Sequence, residues 1–299
     1  MDDRERHNRR DELKRLLHRA FEQQAKDPQE SLRLLQKVCE SEAQQRTLSP
    51  EEYFVVLNNL GCIQVEVGGW SAGRDMLAKS LEVAKEEIGS RSREYAIGLE
   101  AMARYKLQRA VSPQIKEYLL ESVKILSDAD SQLWRISKAK SMLYLGITCR
   151  LLLQYAEGER WGEQAVKLFE EYANVEPEHL VVSLYSLGET YAKTGKHEQS
   201  EECYLRALSF LEKLPQLDKE HKAQILLNLA ISKQRKKSLA DAERYFTEAI
   251  REYEKINPEH PMLIRCLTAY ADHLRRDGRS EAADKVFTRV NAMRENMRL

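Results

Sequence analysis

Helix breakers are scarce in this chain: of 299 residues, only 7 are proline and 12 glycine. No excess charge of either sign exists, because 48 basic residues meet 48 acidic ones. That balance argues against general nucleic-acid binding, which rests on a basic surface. No apolar run is long enough to span a bilayer, since the most apolar stretch, Tyr144 to Tyr155, is interrupted by Arg150. The opening residues hold no secretory core, and Asp2, Asp3, Glu5, Asp11 and Glu12 argue against an acid-poor mitochondrial leader. The five cysteines, Cys39, Cys62, Cys149, Cys203 and Cys266, are widely spaced and include no C-x-x-C pair. They read as reduced thiols in a cytoplasmic protein that does not enter membranes.

Chemical motifs are missing too. His197-Glu198 opens like a zinc motif, but Glu201 and Glu202 follow and no histidine stands one turn on. The other histidines, including His179, His260 and His273, are scattered and expected at connectors or helix surfaces. No phosphate loop, nucleophile elbow or glycine fingerprint occurs, so no enzyme, metal site or cofactor is expected.

What is present is a helical composition, a third of it charged, carrying a long internal period. A small residue recurs at Gly61, Ala103, Gly146, Gly188, Ala230 and Ala271, at intervals of 42, 43, 42, 42 and 41 residues. The clearest unit runs through Leu187, Gly188, Tyr191, Gly195, Ser200, Tyr204 and Ala207. Gly188 suits a crossing of two helices, and Gly195 suits a tight turn between them. Echoes on the second helix of each pair include Leu77 with Ser80, Leu119 with Ser122, and Phe246 with Ala249. A degenerate first copy lies between about Asp11 and Ala43. Ser49-Pro50-Glu51-Glu52, Glu176-Pro177-Glu178 and Asn257-Pro258-Glu259-His260-Pro261 read as helix starts between copies.

These marks resemble the tetratricopeptide repeat (TPR). Leu57-Asn58-Asn59-Leu60-Gly61, the long period and the Pro-Glu-His connectors are similar to the 42-residue repeats of kinesin light chains. The heptads that precede those repeats in kinesin light chains are missing. The resemblance implies an all-α fold, a right-handed α-α superhelix (a TPR solenoid) of about seven helical hairpins. The expected organisation is a polar tail over 1–10 and a single array over 11–299. Its hairpins fall near 11–45, 50–88, 91–127, 131–173, 177–214, 219–256 and 259–298.

In TPR families the first helix of each hairpin lines a groove that binds partners. Carried over repeat by repeat, the resemblance implies a lining that includes Asn59, Glu100, Arg104, Tyr144 and Arg150 toward the N-terminus. Toward the C-terminus it implies Tyr185, Glu189, Lys193, Asn228, Arg235, Arg265 and Arg275. The candidate partner-binding set is Asn59, Arg150, Tyr185, Asn228, Arg235, Arg265 and Arg275. Arginine forks can hold carboxylates, and asparagine offers a donor and an acceptor to a peptide backbone. The expected partner is a protein or peptide segment, acidic where it meets the last repeats. The carboxylate clamp of chaperone-binding TPRs does not fit, because Tyr185 and Glu189 replace its first Lys and Asn, and Ala269 replaces its Arg.

Two further features carry expectations. Val286, Val290, Met293 and Met297 make an apolar stripe on the last helix, where an eighth repeat would dock, which suggests self-association through that end. The basic run Lys233-Gln234-Arg235-Lys236-Lys237 is read as cations favouring a helix C-terminus. An adaptor or scaffold is the leading reading. The alternatives are a structural subunit held by its outer face and ends, and a peptide-responsive TPR regulator.

Overall fold

A computed structural model describes residues 3–24, 26–128, 131–213 and 219–297. The described residues form fourteen α-helices and no strand. They group into two compact units, Met1–Gln154 and Tyr155–Leu299.

The first unit holds α1 (Asp3–Gln24), α2 (Pro28–Gln45), α3 (Pro50–Glu66), α4 (Trp70–Val83), α5 (Arg93–Arg109), α6 (Pro113–Ile125) and α7 (Gln132–Leu151). A π-helical turn, Ala84–Gly89, extends α4. The second unit holds α8 (Tyr155–Glu171), α9 (Pro177–Lys193), α10 (His197–Lys213), α11 (Lys219–Arg235), α12 (Leu239–Ile256), α13 (Pro261–Arg276) and α14 (Ser280–Asn296). Within each unit every helix packs on its chain neighbours, and α3, α5 and α7 also touch in a row.

The rare breakers sit where helices begin. Proline opens α2, α3, α6, α9 and α13, where a missing N–H costs nothing. Ser49 caps α3 by accepting from the Glu52 amide, and the Glu52 carboxylate accepts from the Ser49 amide at 3.0 Å. The last helical hairpin starts at Pro261, two residues beyond the expected 259, with His260 Nδ1 accepting from the Met262 amide at 3.2 Å.

Residues 3–10 are the first turns of α1, not a polar tail. The tie is electrostatic: Arg10 and Lys14 both hold the Glu52 carboxylate, at 2.9 and 3.0 Å. Arg9 donates to Ser41 Oγ at 3.0 Å. Beneath these contacts Leu13, Ala20, Leu35, Val38, Val56 and Leu60 form one buried cluster across α1, α2 and α3. Residues that look like loose polar chain by composition are thereby recruited onto a helix that already has an apolar face.

The small markers do what close helix crossings require. A Cβ on Gly61 would lie 2.8 Å from Leu77 Cγ, and one on Gly73 would lie 2.6 Å from Val65 Cγ2, so α3 and α4 can approach only without side chains there. Ser122 is more than small, because its hydroxyl donates to the Ala96 carbonyl at 2.8 Å and ties α6 to α5.

The apolar stripe of α14 faces inward. Val290 is 0% exposed, and Val286 packs with Phe287 on the Ala271, Leu274 and Ala283 cluster; only Met297, at 42%, is well exposed. The spacing identifies a face whose middle, at Val290, belongs to the unit's own core, while Val286 and Met293 stay half-buried. His273, expected at a surface, is also 0% exposed, set against the rings of Phe246 and Tyr270 at 5.4 and 6.3 Å. Among the described residues no helix is long and apolar enough to cross a membrane.

Candidate functional site

In the second unit α9 and α10 cross at Gly188. A Cβ there would lie 2.6 Å from Tyr204 Cε1, and Ser200 Oγ donates to the Gly188 carbonyl at 2.8 Å. The crossing turns the Tyr204 ring and the C-terminal end of α9 toward α11. Between them opens a cleft of about 160 Å³. Its walls carry Glu189 and Lys193 from α9, Asn228, Ile231 and Arg235 from α11, and Arg265 from α13.

The charges in this cleft are uneven. Lys193, Arg235 and Arg265 are exposed and have no ion-pair partner among the described residues. The one carboxylate, Glu189, accepts from the Tyr185 hydroxyl at 3.0 Å. Two lysines of the basic run are committed elsewhere. Lys233 and Lys236 bind the two oxygens of Glu201 at 2.6 and 2.9 Å, and Ser232 adds a bond at 3.1 Å. Those donors overcome the burial of Glu201 and hold its pKa below the usual carboxylate value. The run therefore divides: Lys233 of α11 and Lys236 of the turn after it hold Glu201 of α10, while Arg235 lines the cleft.

Two segments, 137–213 and 221–296, match the family model described as tetratricopeptide repeat, and together they span just over half of the chain. The chain belongs to the tetratricopeptide-repeat family. Among curated proteins, none matches it by sequence. Solved structures share the fold at low identity. The STAND signal-transduction ATPase with a TPR sensor from Pyrococcus horikoshii superposes with a TM-score of 0.68 at 15% identity, over 93% of this chain and 41% of that one. A Rap protein solved with Competence and Sporulation Factor gives 0.67 at 13%, over 95% and 77%. Kinesin light chain TPR-like repeats from Podosopora anserina give 0.57 at 18%, over 69% and 98%.

Against this TPR frame, the structure brings together only part of the predicted lining. Asn228, Arg235 and Arg265 share the cleft with Glu189 and Lys193. Tyr185 stands behind it, orienting Glu189 and packing near Tyr204 and His221, at 6.1 and 6.2 Å between ring centres. Arg275 turns to its own hairpin instead, donating to Asp284 at 3.1 Å with its guanidinium 4.4 Å from the centre of the Phe287 ring. Asn59 and Arg150 belong to the first unit, where the Asn59 amide is spent on the Val55 carbonyl of its own helix at 2.8 Å.

The first unit gathers a different set. Arg104 lies 5.2 Å over the Tyr144 ring with its Nε 3.6 Å from Glu100, and burial pushes the nearby Cys62 thiol up to about 11. That thiol is protonated and unreactive at neutral pH. Among the residues that sequence reasoning missed are His197, Ser200 and Tyr204, which line the cleft from α10. Assigning the groove to first helices alone leaves them out. Their proximity to the Gly195 turn, whose φ is +79°, was the available signal.

Proposed function

We propose that this TPR protein is an adaptor whose second unit captures a peptide-like segment of a protein partner in the cleft between α9 and α11. One observation carries the reading: three cations without ion-pair partners among the described residues and the Asn228 amide converge from three helices on one small cavity. Such a cavity admits a single side chain, and its excess of cations favours a carboxylate. Asn228 offers both a donor and an acceptor to an adjacent peptide unit. The Rap protein captured with Competence and Sporulation Factor supports the reading by analogy of fold. The protein works as a binder rather than a catalyst, in a reducing cytoplasm that suits five unpaired cysteines.

The test is cross-linking mass spectrometry in cell extract with the full chain beside Asn228→Ala/Arg265→Ala. Links from Lys193 to one short partner segment, lost in the double variant but kept in Arg275→Ala, are expected. Links that persist in the double variant move the site elsewhere.

A further inference from the structure

The second unit has another cleft, on the opposite side of α13. Leu267 and Tyr270 line it, and at 3.6 residues per turn Leu267 sits about 200° round the helix from Arg265. The cleft measures about 390 Å³, walled by α12 and α14 and floored by α13. Its floor is apolar: Ile250, Leu267, the Tyr270 ring and Val286. The Tyr270 hydroxyl is turned away and donates to Glu243 at 3.1 Å.

The rim is cationic. Arg289 of α14 reaches Glu254 of α12 at 2.7 Å, closing one end and occupying the only carboxylate in the lining. One turn back on each wall stand Arg251 and Lys285, exposed and without an ion-pair partner among the described residues. Two like charges facing one cavity repel each other, and a bound anion offsets that cost.

The first unit supplies an internal comparison. The same register there, between α4 and α6 over α5, builds a cleft of about 590 Å³ floored by Leu81, Leu99, Met102 and Tyr118. Its rim is balanced, with Glu82, Glu86 and Glu121 against Arg74, Lys85 and Lys106. The apolar floor is therefore a property of stacked hairpins, whereas the positive rim is particular to α12 and α14.

We propose that the cleft between α12 and α14 is a second docking surface for an acidic amphipathic segment of a protein partner. The segment seats a large apolar side chain against the Tyr270 ring and Val286 and places a carboxylate between Arg251 and Lys285. The recessed floor favours a protein segment over a lipid surface, because side chains enter a slot that a flat headgroup layer cannot fill. This surface does not depend on the cleft between α9 and α11.

The test pans a display library of random 16-residue peptides, on the order of two helical lengths of this cleft, against the full-length Asn228→Ala/Arg265→Ala variant, so that the other cleft is disabled. Recovered peptides should carry Asp or Glu beside Leu or Phe. Their affinity should fall about tenfold in a further Arg251→Glu/Lys285→Glu variant. Replacing their acids with Lys should recover binding to that charge-reversed protein. The proposal is overturned if the selected peptides are neutral or basic, if they bind the reversed variant equally, or if no peptide is selected. It is also overturned if phosphatidylserine vesicles bind through Arg251 and Lys285 while peptides do not.

Discussion

Gly188→Ala is the sharpest probe of how the second unit is assembled. Two effects of opposite sign act on this residue. Alanine favours a helix interior over glycine by about 1 kcal/mol. Against that, the new Cβ would lie 2.6, 2.9 and 3.1 Å from Cε1, Cδ1 and Cζ of Tyr204, an ångström inside normal contact. The ring cannot swing aside cheaply, because Tyr204 is 3% exposed and packs near Tyr185. Overpacking of this kind costs about 1–3 kcal/mol, so after the helix gain the net expectation is a loss of about 0–2 kcal/mol. Urea denaturation followed by far-UV circular dichroism reads the change as a lower midpoint. In a Tyr204→Leu background the clash disappears, so Gly188→Ala should become neutral or stabilising there. A Gly188→Ala protein more stable than wild type would refute the crossing. So would a cost that survives in the Tyr204→Leu background.

Other consequences follow from backbone and burial. Leu153 and Lys237 have φ of +62° and +59° at turns where Gly68, Gly195 and Gly278 stand in other hairpins. Replacing either with glycine removes a left-handed penalty of about 1 kcal/mol, and melting should rise by about 2–4 °C; an unchanged or lower melting temperature speaks against strain at these turns. Burial lowers the His273 pKa from 6.5, with Asp277 and Glu243 opposing that shift and Arg279 and Arg276 adding to it. The folded state thus binds fewer protons than the unfolded chain. Its contribution is complete above pH 6.5 and is lost as pH falls from there through the lowered value. Stability should decline by up to about 1.4 kcal/mol per pH unit across that window, and His273→Phe should flatten the difference; equal slopes in the two proteins would remove His273 as the cause.

Part of this molecule could be read before it was seen. The 42-residue spacing places Gly61 and Gly188 at helix crossings because a period reports which residues share a face. The resemblance to TPRs assigned Asn228, Arg235 and Arg265 to one groove, and the three side chains line one cleft of the second unit. Proline and serine at helix starts were legible because capping is local chemistry.

Other features depended on what each face met. The stripe of α14 has the same spacing whether it packs on α13 or waits for a partner; the fold buries Val290 and leaves Val286 and Met293 half-buried. Arg275 has a side chain long enough to choose, and Asp284 with Phe287 outbids the groove through a hydrogen bond and a ring face. Lys233 and Lys236 find their use only because Glu201 arrives from another helix. Local sequence thus determined the helices, their starts and their faces, since these follow from contacts within a few residues. Tertiary structure decided which face is inside, which cations are spent and which are left to bind, because those depend on partners brought together from distant parts of the chain.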